Sequence, residues 1–286
     1  MANLKEIRNR IASVSSTMQI TSAMKMVSAA KLKKAQDAIT AMRPYADKLT
    51  ELLQALSASL DADSGSSYAD NRPVNKVLVV AITSNRGLCG AFNTNILKQS
   101  SYLAEDTFQG KQVDFMAIGK KANDILGKKN SIAANHSDVF DDLTFENVAI
   151  IAEELMDLFK NGSYDRIELV YNKFKNAATQ IVTTEQFLPI VPADGDQSSN
   201  ADYIFEPSKV EIVEQLIPKS LKTQLYKAVR DSFASEHGAR MTAMHKATDN
   251  ATELRDQLKL TYNQARQAAI TNEILEIVSG AEALSN

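Results

Sequence analysis

From Met1 to Arg43 the chain has neither glycine nor proline, and from Ala239 to Ser279 it again has neither. Glycine and proline are the residues that punctuate helices, so two such runs at opposite ends of one chain predict two long helical arms. In the first arm Leu4, Ile7, Ile11, Val14 and Met18 recur at alternating three- and four-residue steps, the heptad seam of a coiled coil. Further along, the smaller Ala23, Ala30, Ala35 and Ala38 are expected on that side, where they would let a neighbouring helix come close. Pro44 is expected to kink this helix rather than end it, because Leu49, Leu52, Leu53, Leu56 and Leu60 keep the helical spacing. In the second arm Met244, Ala247, Ala251, Leu254, Leu258, Thr261 and Ala265 form a seam that hands over to Ile270, Ile274, Ile277, Ala281 and Leu284. Each seam needs a cover, and the nearest candidate is the other arm.

Between the arms the pattern changes. "DADSGSSYADNRP" (61–73) reads as a loop, and "KVLVVAIT" (76–83) as a strand buried on both faces. "QVDFMAI", "RIELVYN" and "AATQIVTTEQF" read as further strands, the last two near a hairpin, and "DYIFE" as a final one. A helix is expected through Ile96 and Leu97 and another over "FENVAIIAEELMDLF", while "VPADGDQSSNAD" reads as a polar surface loop. Strands alternating with helices give an α/β layer with a mixed sheet. The predicted fold is therefore a long antiparallel coiled coil of the N- and C-terminal helices with an inserted Rossmann-like α/β domain. Its boundaries are 1–60 for the first arm, 74–206 for the α/β domain and 208–286 for the second arm.

Several function classes are disfavoured at this stage. A net charge of −3 is too near neutral for a nucleic-acid binder, although Met1 to Gln36 gathers seven lysines and arginines against Glu6 alone. Cys89 is the only cysteine, so no intramolecular disulfide can form, which fits a reducing compartment. No signal segment opens the chain, and no apolar run is long enough to span a bilayer. The turn "RGLCG" could cradle a phosphate at a helix N-terminus, but Gly87 and Gly90 make neither G-x-G-x-x-G nor a P-loop, and backbone geometry is the favoured role for them. His136, His237 and His245 with Cys89 match no zinc spacing. No nucleophile elbow or carboxylate pair stands out, so neither a catalytic residue nor a bound cofactor or metal is expected.

The unusual features lie on the arms. Met24 and Met26 flank Lys25 and cannot both lie on one narrow stripe, so some methionine surface must face something other than the partner arm. At the C-terminal end Ile270, Ile274, Ile277, Ala281 and Leu284 cluster on one side of the helix and Leu275 falls well away from them. A helix apolar nearly all round is built to be buried all round. These residues predict a shaft whose tip sits in a sleeve supplied by other chains.

The tip "ITNEILEIVSGAEA" resembles the signature of the F-type ATP synthase gamma subunits, carried here by Ile270, Thr271, Glu273, Glu276, Gly280 and Ala281. "IRNRIASVSSTMQITSAMKMVSAAKLKKAQ", "ITSNRGLCGAFN", "YNKF" and "SEHGARMTAMHKATDNA" are also similar to blocks of that family, so the resemblance covers the whole chain. It implies a non-catalytic central rotor shaft, enclosed by a hexamer of α and β subunits and footed on the epsilon subunit and the ring of c subunits. Rotation of the shaft would couple proton flow to ATP synthesis or hydrolysis at the β subunits. By match of motif, Met24, Lys25 and Met26 would lie near the acidic lever region of β. Arg266, Gln267 and Thr271 would lie near the loop that catches the upper shaft, and Ile274 and Ile277 in an apolar collar. One cysteine and a start directly on the rotor helix point to a bacterial member, peripheral on the cytoplasmic side of the membrane. The competing readings are an α/β nucleotide-binding enzyme with helical arms and a static coiled-coil tether.

Overall fold

The computed structural model describes residues 4–57, 68, 72–190 and 209–285. The expected strand "DYIFE", the loop 191–202 and most of the loop 61–73 lie outside the described residues. Helix α1 runs Leu4–Ser57 with Pro44 inside it, and helix α5 runs Lys209–Ser285 with Pro218 inside it. Proline therefore interrupts neither arm, as the continuing leucine spacing predicted for the first. The chain divides into two compact units, one of residues 1–28 with 241–286 and the other of residues 29–240. Both helices pass from one unit into the other.

The larger unit is built on a five-stranded sheet in the order β3-β2-β1-β4-β5. The strands are β1 (Lys76–Ile82), β2 (Gln112–Ile118), β3 (Ile132–Asn135), β4 (Arg166–Phe174) and β5 (Gln180–Leu188). β1 is parallel to β2 and β4, β2 is parallel to β3, and β5 is antiparallel to β4. Three helices connect them: α2 (Phe92–Tyr102), α3 (Lys120–Leu126) and α4 (Phe145–Lys160). β1 has helices over both faces, so its period-two alternation splits its apolar run between two cores. Leu78, Val80 and Ile82 pack with Val148, Leu155 and Phe159 of α4 and with Leu221, Leu225 and Val229 of α5. Val77, Val79 and Ala81 pack with Ile96 and Leu97 of α2 and with Ala122 and Leu126 of α3. The first part of α5 is thus a layer helix of the sheet.

β3 and α3 are absent from the sequence reading. The strand "IAAN" is four residues long and only half-buried on alternate positions, and the helix is seven residues long. Neither offers a long enough window for its period to register.

In the smaller unit the arms run antiparallel. Thr21 meets Thr248 with 2.8 Å between hydroxyl oxygens, Lys25 Nζ lies 3.4 Å from His245 Nδ1, and Arg255 Nη1 lies 3.4 Å from the Met18 sulfur. The α1 seam follows Leu4, Ile7, Ile11, Val14 and Met18 as predicted, then continues through Thr21, Lys25 and Ser28. Ala23 and Ala30 are exposed, which corrects the small-residue reading at those two positions, whereas Ala35 is buried and Ala38 half-buried. On α5 the seam runs through Met244, Thr248, Ala251, Arg255, Leu258, Tyr262 and Ala265, while Leu254 and Thr261 face outward. The heptad spacing holds, but hydroxyl and charged side chains occupy several of its positions. Apolarity alone therefore misplaced it.

Candidate partner interface and the clasp at the root of the shaft

The sequence-predicted contact residues fall at two levels of the arm. Met24 and Lys25 are half-buried against α5, whereas Met26 is 65% exposed. One methionine is spent on the seam and the other faces out. Lys25 does not project freely. Its ammonium points at His245, whose Nδ1 lies 3.4 Å from the Asp249 carboxylate. Val27 and Ile20, a heptad apart on the outer side of α1, are also exposed and extend the apolar surface around Met26.

Arg266, Gln267, Thr271, Ile274 and Ile277 are all exposed on α5, well beyond the level of Met24 to Met26. Thr271 Oγ1 donates to the carbonyl of Gln267 at 3.0 Å, a bond along its own helix that leaves both residues facing outward. Ile270, Ile274, Leu275, Ile277 and Val278 are exposed to between 48% and 70%. From Ile270 to Ala281 every residue is exposed, so none of the described residues covers this stretch, about 18 Å long at about 1.5 Å per residue. Hydrogen exchange on the isolated chain should show slow amides in β1, β2 and β4 and fast ones beyond Ala269. Uniform protection to the last turn would remove the argument that the tip waits for a cover.

A second constellation lies in the larger unit, where the strands of the parallel sheet end. In doubly wound sheets the crevice at this edge, where the connections diverge, is the usual ligand site. Here it is occupied by the chain itself. Residues 234–240 of α5 are all buried. The Ser235 hydroxyl donates to the carbonyl of Asn172 on β4 at 2.9 Å, and Gly238 lies against Ala177, where a Cβ would come within 3.2 Å of the backbone. Arg240 donates to the Glu236 carboxylate at 2.6 Å, to the carbonyl of Arg86 at 3.2 Å and to that of Gly87 at 3.3 Å.

The turn after β1 is held from within. Ser84 donates its backbone N–H to Asn93 Oδ1 at 3.0 Å and its hydroxyl to the Arg86 carbonyl at 2.6 Å, while Asn93 Nδ2 donates to the Cys89 sulfur at 3.2 Å. Leu88 and Gly90 both have φ near +60°, so glycine serves backbone geometry at position 90. A phosphate cradle presents N–H groups to its ligand. This turn presents two carbonyls to a guanidinium. Burial pushes the Cys89 thiol up from its ordinary value, with the Ser84 hydroxyl pulling the other way. Burial also raises Glu236 despite Arg240 beside it, and lowers His237 to about 4. The sequence reading passed over Glu236 and Arg240 because charged residues read as surface. The available signal was their setting in "ASEHGAR", where small residues flank an i,i+4 ion pair and announce close packing.

A bare apolar tip on paired helices defines a class: a subunit with a surface made for other chains. A model of the ATP synthase family matches residues 3–284. The chain is 76% identical over 285 residues to the ATP synthase gamma chain of Flavobacterium psychrophilum, covering 99% of each. It is 54% identical over 295 residues to the gamma chain of Cytophaga hutchinsonii, covering 100% of both. Its fold is similar to a chain of the Euglena gracilis mitochondrial ATP synthase rotor, with a TM-score of 0.70 at 24% identity over 93% of this chain and 98% of that one. It is also similar to a chain of the Tetrahymena thermophila central stalk and c-ring, with a TM-score of 0.57 at 26% identity over 80% of this chain and 99% of that one. The chain belongs to the ATP synthase gamma-chain family.

Proposed function

We propose that this chain is the central rotor shaft of a proton-translocating F-type ATP synthase and carries no catalytic residue or bound cofactor of its own. The observation that carries the reading is the tip from Ile270 to Ala281, apolar on several sides and covered by none of the described residues. Left in water, such a surface is a liability; turning inside a collar of α and β subunits, it is a bearing. Ile274 and Ile277 would sit in that collar, and Arg266, Gln267 and Thr271 near the catch loop of β. Met24, Lys25 and Met26 would lie near the acidic lever of β. Within that trio Met26 makes the outward contact, because Lys25 is turned toward His245. The α/β block would rest on the epsilon subunit and the ring of c subunits.

Among the described residues no helix is long and apolar enough to cross a membrane. Attachment to the cytoplasmic face of a bacterial membrane would then come through the complex. The role of the shaft is to present a different face to each β subunit in turn, converting rotation into nucleotide release.

The decisive test is affinity isolation from native membranes followed by calorimetry on the free chain. The α, β and epsilon subunits should come down with the tagged chain, and the purified chain should bind ATP no more tightly than millimolar. The crevice where a nucleotide would sit is filled by Ser235, Glu236 and Arg240. Micromolar ATP binding, lost on changing Gly87 or Gly90, would revive the enzyme reading. Isolation of the chain without α and β would remove the shaft.

A further inference from the structure

The buried charges of Glu236 and Arg240 need an explanation. Glu236 and Arg240 lie inside the larger unit, 7% exposed each. Replacing such a pair by well-packed apolar residues is often neutral or stabilising, so stability alone is a poor reason to keep it. Arg240 differs from an ordinary buried ion-pair partner in what else it holds. Its second terminal nitrogen reaches the backbone carbonyls of Arg86 and Gly87, more than 150 residues away in sequence. Those carbonyls belong to the turn that β1, the central strand of the sheet, runs into. Glu236, one helical turn back, fixes the guanidinium from the other side, and Lys31 of α1 adds to the positive field around that carboxylate. Ser235 and Gly238 hold the same turns of α5 against Asn172, near the C-terminal end of β4, and Ala177 just beyond it. The very next residue, Met241, opens the smaller unit. α5 is therefore gripped on two sides in its last turn before it becomes arm.

We propose that Arg240 is a positioning residue for rotary coupling: a clasp that fixes the azimuth of α5 to the central strand of the sheet. Through it, twist applied to the α/β block is delivered to the arms without slip. This rests on the shaft reading. Hydrogen bonds to carbonyls suit the task, because a packed apolar contact resists separation but slides under shear, whereas a forked guanidinium held by three oxygens resists both. Glu236 keeps the fork aimed. It need not touch the turn itself.

The experiment uses the whole complex in membrane vesicles and reads two activities, ATP hydrolysis and ATP-driven proton pumping. Arg240→Ala should lower pumping more than hydrolysis, dropping the ratio of the two by about tenfold, since breaking one buried charged contact is worth at least that factor. Methylguanidine, which can refill the vacated fork, should restore part of the ratio, and methylamine at the same concentration should not. Because Arg240→Ala leaves Glu236 buried and unpaired and could disturb folding, the double variant Glu236→Leu/Arg240→Met carries the same test in a packed background. It should assemble and hydrolyse ATP yet pump poorly. A ratio within twofold of wild type in either assembled variant would overturn the clasp. A wild-type chain that fails to assemble with α and β, or wild-type complexes that hydrolyse without pumping, would instead overturn the shaft reading.

Discussion

Replacing Gly119 by alanine is expected to cost about 4 kcal/mol or more, a large fraction of the stability of a folded domain. Gly119 links β2 to α3 with φ at +115°, a backbone region L-residues rarely enter. A Cβ built there would sit 2.2 Å from the carbonyl oxygen of Thr83, 2.7 Å from its carbon and 2.9 Å from its Oγ1. None of these atoms can retreat cheaply. Thr83 N donates to the Ile118 carbonyl at 2.8 Å, and Thr83 Oγ1 accepts from the backbone N–H of Ala122 at 2.9 Å. The turn after β1 and the start of α3 are thus tied together through one threonine. Gly110 provides the control, with φ at +79° and nothing within 4 Å of a built Cβ. Gly110→Ala should pay only the left-handed penalty of roughly 1–2 kcal/mol. Urea unfolding of both variants of the full chain separates the terms. Equal midpoints would mean that the close approach to Thr83 is not real.

A second large effect should appear in acid. His237 is buried, its ring edge-on to Phe233 at 4.5 Å and its Nδ1 3.4 Å from Arg240. Burial first, then the charges of Arg240 and Lys31, hold its pKa at about 4 in the folded chain against 6.5 for the free side chain. Between those values the unfolded chain binds a proton that the folded chain refuses, so stability falls as the pH drops from about 6.5 to about 4. The loss is full below the folded value and amounts to about 3 kcal/mol. Glu236 works in the opposite sense, because its folded pKa is raised and the folded chain takes up its proton first. The two must therefore be separated by subtraction. His237→Gln keeps a neutral polar side chain and removes the titration. The stability difference between wild type and variant should shift by about 3 kcal/mol in the variant's favour between pH 7 and pH 4. A difference that does not move with pH would place the imidazole in contact with water.

The outline of the fold could be read from the sequence wherever one physical demand dominated. β1 and β2 lie where their apolar runs placed them, and α4 matches its amphipathic window almost to the residue. The seams were legible only while apolar residues marked them. From Thr21 to Ser28 the spacing persists but the side chains turn polar, because a hydroxyl such as Thr248 can satisfy another across the seam. Met24 to Met26 were singled out for a geometric conflict, and the structure resolves it by turning Met24 half-buried toward α5 and exposing Met26. The clasp was invisible for a different reason. Its carbonyl acceptors belong to the backbone, which sequence does not distinguish, and its charged residues carry no mark of burial.

The hydroxyl pair of Thr21 and Thr248 spans 227 positions of the chain. During synthesis the first arm therefore emerges long before its partner exists. At roughly 5–20 residues per second the ribosome needs on the order of 10–45 s to supply it. Throughout that interval α1 shows a half-apolar seam to the cell, and an isolated helix gains little stability from its backbone alone. The α/β block buries Leu221, Leu225 and Val229 of α5 in its core, so it is completed only as the second arm begins to emerge. Biogenesis thus has an enforced order, with the block first, the paired arms last, and a chaperone's window in between.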